Sequence, residues 1–304
     1  MAREPLYGVG EWAARQAPDL LGLEKEQITC LNDDRVGRSL DRLFGADYVS
    51  LLLAVTSHVI REFHVDLDEL HNDSTTISFF GKYEDDFKGR KIRGKPTRAN
   101  LLGYNKDHRP DLKQLLFILT VSRDGGVPIH FTASDGNVTD DQTHRETWDL
   151  LCSLTGREDF LYVADCKLAT KDNMSYIQRN GGRFVTILSR SRSEDRDFRE
   201  FVCHNPNSIS WNEIYRKTKR KGNRDEVYDI FCITDSPHIT AEGYRLLWFH
   251  SFRKEERDRI RRAQKIERTL LTLGDLKERL WSGIGISILI VDLAACQALP
   301  SSTN

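Results

Sequence analysis

The spacing of hydrophobic positions divides this 304-residue chain into segments of different periodicity. Over residues 1–68 apolar side chains recur near the 3.6-residue period of a helix, and no proline interrupts 46–64. The residues that carry this period are Leu51, Leu52, Val55, Val59 and Ile60. The pattern predicts a helical N-terminal region, 1–68.

From Glu69 onward the pattern becomes that of β-strands. The segment LHNDSTTISFF, 70–80, is rich in Thr, Ile and Phe, which favour strands. Side chains alternate across a strand, so Asp73 is predicted to share a mostly apolar face with Thr75 and Ile77. An aspartate in such a place requires an explanation, because strands are depleted in Asp.

Two more strands are predicted around a tight turn. The apolar run LLFILTV, 115–121, is continuous enough to be buried on both faces of a sheet. Arg123-Asp124-Gly125-Gly126 follows as a turn sequence and leads into a third strand at 127–133, which makes a hairpin.

Helices and strands then alternate. Thr139 and Gln142 have the spacing of a capping box, which predicts a helix over about 140–155. The strand FLYVA, 160–164, is followed by a helix capped by Thr170 and closed by Asn180-Gly181-Gly182. FVTIL, 184–188, is one more strand.

This order of elements predicts the sheet. Antiparallel neighbours need only short turns, whereas parallel neighbours need a helical crossover. We therefore expect an α/β protein with a mixed sheet, in which the first three strands are antiparallel, the later ones are parallel, and the first and fourth are neighbours. That is the layout of a ribonuclease H-like core.

Beyond residue 190 the charge rises. The basic segment 214–224 precedes an apolar strand at 227–233, and a long helix is predicted over 241–280 with heptad spacing at Ile266, Leu270, Leu273 and Leu280. The last stretch loses its charge. The predicted organisation is a helical region 1–68, the first part of a ribonuclease H-like core 69–190, a charged insertion with a long helix 191–280 and an atypical tail 281–304.

Composition limits the possible partners and compartments. Lys and Arg (45) balance Asp and Glu (46), so overall charge gives no argument for nucleic-acid binding. The six cysteines lack the spacing of a zinc site and are expected to be reduced thiols. With no signal-peptide layout and no run of ~20 apolar residues, we expect a cytoplasmic protein without a membrane partner.

Asp73 and Asp165 are the candidate chemical residues. If the first and fourth strands are neighbours, an aspartate along one and an aspartate at the carboxyl end of the other could meet across the ladder. Carboxylates fixed in this way can hold divalent metals for phosphoryl transfer. The alternative interpretation is a turn or strand-end role for each aspartate.

At these residues the sequence resembles a family. The segments HNDSTTISFFGKY, KDHRPDLKQLLFILTVSRDGGVPIHFTASDGNVTDDQTH and DFLYVADCKLATKDNM resemble the catalytic core of bacterial insertion-sequence transposases of the DDE type, in the insertion-sequence-four superfamily, over about residues 5–280. The resemblance implies a ribonuclease H-like fold and an Asp, Asp, Glu triad with Mg²⁺ or Mn²⁺. It makes Asp73 and Asp165 the first two metal ligands and catalytic residues.

The resemblance also implies DNA as partner, at the terminal repeats of a mobile element, and a homodimer is a further expectation. In the family, a tyrosine is followed three residues later by an arginine. The third carboxylate, a glutamate, lies four residues after that arginine. Tyr176 and Arg179 begin this pattern, but Arg183 occupies the glutamate position. We therefore expect a truncated transposase that lacks its third ligand. Glu242 and Glu267 are weak substitutes, because charged residues on a long helix are usually solvated.

Two basic clusters are the candidates for contact with DNA phosphates. The alternative interpretation of each cluster is a solvated loop that keeps the protein soluble. The first, which we call the loop cluster, contains Lys88, Arg90, Lys91, Arg93, Lys95 and Arg98; the second, the hairpin cluster, contains Arg216, Lys217, Lys219, Arg220, Lys221 and Arg224. His71 receives no role. GNVTDDQT, 136–143, also matches the family, but a loop that leads into a capped helix is the preferred interpretation.

Three functional hypotheses follow. The chain is an enzyme, or the remnant of one, that cuts and joins DNA at element ends. Alternatively it is a catalytically inactive module that binds DNA or an intact transposase, or it is a ribonuclease H-like nuclease unrelated to transposition.

Overall fold

The computed structural model describes residues 5–84, 86–104, 109–205, 208–222 and 224–281, so the tail predicted from 281 lies outside the described residues except at its first position. The chain divides into two compact units, Met1–Ile187 and Leu188–Asn304. Each unit is built around its own sheet.

The first unit begins with helices, as predicted for its N-terminal region. These are α1 (Val9–Ala14), α2 (Asp33–Gly45) and α3 (Tyr48–Glu62). The Asn32 side chain caps α2 by accepting from the Arg35 N–H at 2.8 Å, and Asp47 caps α3 in the same way. No single helix among the described residues has the length and apolar character to cross a membrane; α2 and α3 meet that criterion only together, and they bend by 95° where they join.

The sheet of the first unit has five strands, and a small hairpin stands beside it. Together these two structures contain seven strands: β1 (Glu69–Phe79), β2 (Lys91–Ile92), β3 (Lys95–Pro96), β4 (Lys113–Ser122), β5 (Pro128–Asp135), β6 (Leu161–Ala164) and β7 (Arg183–Val185). β2 and β3 pair with each other, and the large sheet has the order β5-β4-β1-β6-β7. β1, β4 and β5 are antiparallel, whereas β6 runs parallel to β1 and to β7.

This arrangement confirms the predicted fold class. The first three long strands form an antiparallel meander, and each later strand joins in parallel after a helix, because a parallel neighbour needs a crossover. The crossover helices are α4 (His144–Thr155) and α5 (Lys171–Arg179). The first unit is therefore a mixed α/β domain with the strand order and directions of a ribonuclease H-like core.

The core lies between the sheet and these helices. Leu70 and Tyr162 from the strands pack with Leu151 and Ile177 from the helices, and each of these four side chains is completely buried. Apolar residues at helical spacing on α4 and α5 thus cover the face of the sheet that carries Leu70 and Tyr162.

Two local predictions were wrong: the capping box at Thr139, and the burial of both faces of the strand at 115–121. The predicted capping box at Thr139 does not form: its side chain makes no capping hydrogen bond, and a short 3-10 turn at Asp140–Gln142 precedes α4. Thr170 does cap α5, because its side chain accepts from the Asn173 N–H. Along β4, buried positions alternate with half-buried ones, so only one face is fully buried.

The second unit contains α6 (Ser193–His204), β8 (Asn212–Lys221), β9 (Arg224–Asp235), β10 (Leu247–Ser251) and α7 (Phe252–Trp281). The sheet order is β10-β9-β8, and all neighbours are antiparallel. The basic segment thus forms one arm of a β-hairpin rather than a loop.

The long helix predicted from 241 was wrong in its first turns. Gly243 has a φ of 91°, and Leu247–Ser251 pair with β9 as a strand before the helix begins at Phe252. Residues 247–251 alternate between more exposed and more buried positions, which is the period of a strand.

Candidate active site

Asp73 lies on β1, and Asp165 is the first residue after the end of β6, the parallel neighbour of β1. β1 and β6 pair through Asn72 and Ala164, whose side chains are both buried on the core face. Asp73 and Asp165 are the next residues of each chain segment. Because side chains alternate, both aspartates belong to the opposite, open face of the sheet. Asp73 is exposed on this face, and its sequence neighbours Asn72 and Ser74 are buried.

Hydrogen bonds from nearby groups orient both carboxylates. Oδ1 of Asp165 accepts from the Lys167 N–H at 2.9 Å, and its main-chain carbonyl accepts from the Thr186 hydroxyl at 2.6 Å. Oδ1 of Asp73 accepts from the Ser74 N–H at 2.8 Å.

Asp73 and Asp165 line one shallow depression of about 420 Å³. Its remaining surface is mainly apolar and comes from β4, β6, β7 and the segment after β7: Leu119, Val121, Val163, Val185 and Ile187. His71 also lines it, but its Nε2 lies 2.8 Å from Oε1 of Glu69, so this ring is already hydrogen-bonded within β1. The depression thus combines two carboxylates with a mainly apolar surface.

A buried polar pair lies beneath the end of β6. The Tyr162 hydroxyl and Nδ1 of His144 are 3.1 Å apart and share a hydrogen bond between β6 and the first residue of α4. Burial lowers the pKa of His144, an effect that Asp165, Asp140 and Asp141 partly oppose. Burial, followed by the charge of Asp165, raises the pKa of Tyr162 far above its usual range. His144 is a residue near the site that the sequence prediction missed, because nothing local marks it as the partner of Tyr162.

The donor set at this depression fits a hard divalent cation only in part. Carboxylate oxygens are the ligands that Mg²⁺ and Mn²⁺ prefer, and the open face leaves room for water. Within the described ranges, however, no group of three or more His, Cys, Asp or Glu side chains is placed to hold a metal ion. Asp73 and Asp165 would thus be the protein's ligands.

The residues of the incomplete third-ligand pattern, Tyr176 and Arg183, make other contacts, and so does the possible substitute Glu242. The Tyr176 hydroxyl donates to Asp149 at 2.9 Å, and Arg183 donates from Nε to the Asp159 carbonyl at 2.8 Å. In the second unit, Glu242 is ion-paired with Arg192 at 2.7 Å, and Arg192 holds its pKa below the usual range. Glu267 lies on the exposed surface of α7.

Gly136, in the GNVTDDQT segment, has a structural explanation. A methyl group at this position would lie 1.9 Å from the Gln114 carbonyl oxygen and 2.5 Å from that of Leu101. Only glycine permits this approach of three backbone segments. The preferred interpretation of the segment as a structural loop is consistent with this packing.

Three cations of the loop cluster bind groups of this chain, and the other three are exposed to solvent. Lys95 donates to the carbonyls of Phe44, Gly45 and Ala46 at 2.8–2.9 Å, at the C-terminus of α2. Arg93 pairs with Asp41 at 3.0 Å, and Arg90 forms an ion pair with Asp86. The remaining cations of this cluster are exposed: Lys88, Lys91 and Arg98.

In the hairpin cluster, several cations surround one aromatic ring. Lys217 and Lys219 of β8 lie 5.9 and 5.7 Å from the Tyr228 ring centre, and Arg253 lies 3.6 Å from it. Arg216 pairs with Glu213 at 2.7 Å, and Arg220 is exposed. The side chains of Lys221 and Arg224 lie outside what the structure describes.

The comparisons with known proteins give distant similarities. No protein-family model matches the chain, and no curated protein matches it. The crystal structure of the Mos1 mariner paired-end complex with Mn is 12% identical, with 67% of each chain covered and a TM-score of 0.26. The Mos1 transposase paired-end complex with the left transposon end is 11% identical over 68% of this chain and 67% of that one, with a TM-score of 0.26.

A third solved structure, the piggyBac transposase synaptic complex with hairpin DNA, is 10% identical and has a TM-score of 0.33. The match covers 80% of this chain and half of that one. Similarities at these TM-scores support no conclusion about this chain, which has to be understood from its own geometry.

Proposed function

We propose that this chain is a DDE-type transposase, or a fragment of one, that acts on DNA by metal-dependent phosphoryl transfer. One observation supports this most strongly: Asp73 on β1 and Asp165, directly after the end of the neighbouring parallel strand β6, line the same depression. Two carboxylates that are distant in sequence but held on neighbouring strands are what a divalent-cation site requires.

In this proposal the protein's own groups bind and orient the reactants. Asp73 and Asp165 would hold Mg²⁺ or Mn²⁺, and the bound ion would supply stabilisation of negative charge on a phosphodiester and acidification of an attacking water. The Lys167 N–H donates to the Asp165 carboxylate and the Thr186 hydroxyl donates to its main-chain carbonyl, so this carboxylate would need little reorganisation. Cations of the two basic clusters would contact DNA phosphates, which give affinity without sequence specificity.

The finer features of the proposal concern the substrate and the assembly. We propose the terminal repeats of a bacterial insertion sequence as the DNA, and a homodimer as the acting species. Because the described residues supply two carboxylates, we expect cleavage to be weak compared with that of a chain that has a complete triad. The competing function is a catalytically inactive DNA-binding module, which the lack of a third described ligand favours.

Metal binding tests the site separately from catalysis. Mn²⁺ titration of the full chain, followed by the electron paramagnetic resonance signal of the free ion, should give one binding site that weakens on the order of 10- to 100-fold or more in Asp73→Asn and in Asp165→Asn. Asp19→Asn, which removes an exposed carboxylate elsewhere in the same unit, is the matched control and should bind Mn²⁺ like the unmodified chain. Equal binding by all four proteins would remove the basis of the proposal.

Cleavage then distinguishes the functions. With Mn²⁺ present, DNA carrying the element's terminal repeat should be cut in preference to a scrambled repeat. Cutting of both DNAs equally would indicate a nuclease unrelated to transposition. Mn²⁺ binding and DNA binding without any cutting would indicate the inactive module.

A further inference from the structure

The long helix α7 carries an apolar stripe that nothing described in the structure covers. Every side chain from Arg259 to Arg279 is exposed, a run of about six helical turns. Within it, Ile266, Leu270 and Leu273 are 54%, 62% and 55% exposed. A helix with an apolar stripe normally buries that stripe against another element.

Contacts at the beginning of the helix attach it to its own sheet. Oδ1 of Asp229 accepts from the Arg253 N–H at 3.0 Å, and Oδ2 accepts from the Ser251 hydroxyl at 2.7 Å. Arg253 also lies over the Tyr228 ring. Most helical stability in proteins comes from packing of an apolar face against another element. The exposed stripe of Ile266, Leu270 and Leu273 is therefore a surface on which a second helix can pack.

The spacing of the stripe specifies the kind of partner. With Ala263, Leu270 and Lys277 at a positions, Ile266 and Leu273 fall at d positions, and Leu280 continues the repeat in the sequence. A repeat of seven is the signature of a coiled coil, in which each apolar side chain inserts between four residues of a second helix. A helix that satisfies this pattern is complementary to another copy of itself.

The charges beside the seam favour a parallel pair. In that arrangement Arg262, at a g position, faces Glu267 of the other helix, at the following e position, so opposite charges meet twice across the two-fold axis. Lys277, at an a position, would be tolerated best in a two-stranded coil, where a polar a residue fixes register and oligomeric state.

We propose that α7 is a homodimerisation helix and that its partner is α7 of a second copy of this chain, in parallel and in register. The inference does not rest on the proposed catalytic role, since it uses only contacts and exposure within α7 and the end of its own sheet. It identifies which surface would build the homodimer and which residues form its seam.

Two neighbouring leucines provide a matched test. Leu270 lies in the seam and Leu271 lies beside it, at a b position that faces away, yet the two are almost equally exposed, at 62% and 65%. Sedimentation equilibrium of the full chain should show a monomer–dimer equilibrium. Leu270→Glu should raise the dimer dissociation constant by about 100-fold or more, whereas Leu271→Glu should leave it within a few-fold of the unmodified value. Circular dichroism checks that both variants remain folded.

Cross-linking tests the parallel register independently. Under mild oxidation Lys277→Cys should form a disulfide-linked dimer, because equivalent a positions face each other across a parallel seam. Glu278→Cys, one residue further and away from the seam, is the control for adventitious links and should not gain that dimer.

Three outcomes would overturn the proposal. A monomer at all protein concentrations would mean that the stripe is covered by this chain's own residues or by another protein. Equal effects of Leu270→Glu and Leu271→Glu on association would exclude the heptad seam. A dimer that cross-links equally in the Lys277→Cys and Glu278→Cys variants, or in neither, would exclude the parallel register.

Discussion

Gly136 shows how a single residue is constrained by chain segments far from it in sequence. Its N–H donates to the Ala99 carbonyl at 3.1 Å, and its own carbonyl accepts from the Gln114 side chain at 2.8 Å. These contacts bring the end of β5 against β4 and the segment before it. A side chain at this position would have to push backbone atoms apart.

Gly136→Ala should therefore destabilise the first unit by about 1–3 kcal/mol, the usual cost of forcing extra volume into a packed region. Gly37→Ala is the control, because a methyl group at Gly37 on α2 meets nothing within 4 Å. In a helix that change is expected to be neutral or to stabilise by up to about 1 kcal/mol. Urea unfolding of both variants measures the difference, and similar stabilities would contradict the tight packing at Gly136.

His144 makes the stability of the first unit depend on pH. Burial lowers its pKa below the usual 6.5, so the unfolded chain takes up a proton more readily than the folded one. Stability is therefore complete above the unfolded pKa and falls as the pH decreases from about 6.5 toward the lower folded value.

The unfolding free energy should thus decrease between about pH 7.5 and pH 5.5 in the unmodified chain, and less steeply in His144→Gln. Burial also lowers the pKa of His130, so the variant should keep part of the dependence. His58→Gln, an exposed change on α3, should keep all of it. Identical pH profiles for His144→Gln and the unmodified chain would show that the buried imidazole is not responsible.

At the scale of elements, Lys95 and Lys91 show that two lysines of one basic cluster have different tasks. Lys95 donates to three carbonyls at the C-terminus of α2, where a cation also interacts favourably with the helix dipole. Lys91 is exposed on β2. Neighbouring lysines of the loop cluster therefore differ: Lys95 binds carbonyls of this chain, whereas Lys91 faces solvent.

Lys95→Met should lower the unfolding free energy by about 1–2 kcal/mol, because three carbonyls lose a charged donor. Lys91→Met should leave stability unchanged within about 0.5 kcal/mol and, if this cluster binds DNA phosphates, should weaken DNA binding and reduce its salt dependence. Thermal unfolding and binding at several salt concentrations separate the two effects. The reverse pattern would assign the phosphate contact to Lys95.

At the scale of the whole molecule, the chain consists of two units with different kinds of exposed surface. The first carries the acidic depression over an apolar floor, and the second carries a basic β-hairpin and the exposed stripe of α7. The net charge of -1 conceals this division, because the acidic and basic groups cancel only in the sum. Arguments about partners therefore have to be made for each surface separately.

Much of the fold followed from local patterns. Alternation at two-residue spacing predicted β1, the Gly125-Gly126 turn predicted the hairpin between β4 and β5, and Thr170 predicted the start of α5. These features depend on neighbours in sequence, which is why they could be predicted. The same reasoning placed Asp73 and Asp165 on adjacent strands, since an antiparallel meander followed by a crossover leaves few alternative orders.

For the large sheet of the first unit and its crossover helices, the sequence alone therefore predicted the types of the elements, their order and which two aspartates could meet. Tertiary structure decided what each side chain contacts: that Asp73 is on the open face, that Lys95 caps a helix some 50 residues earlier in the chain, and that 247–251 pair as a strand before α7 begins. The physical reason is that periodicity is set by adjacent residues, whereas burial and pairing are set by segments that meet only after folding.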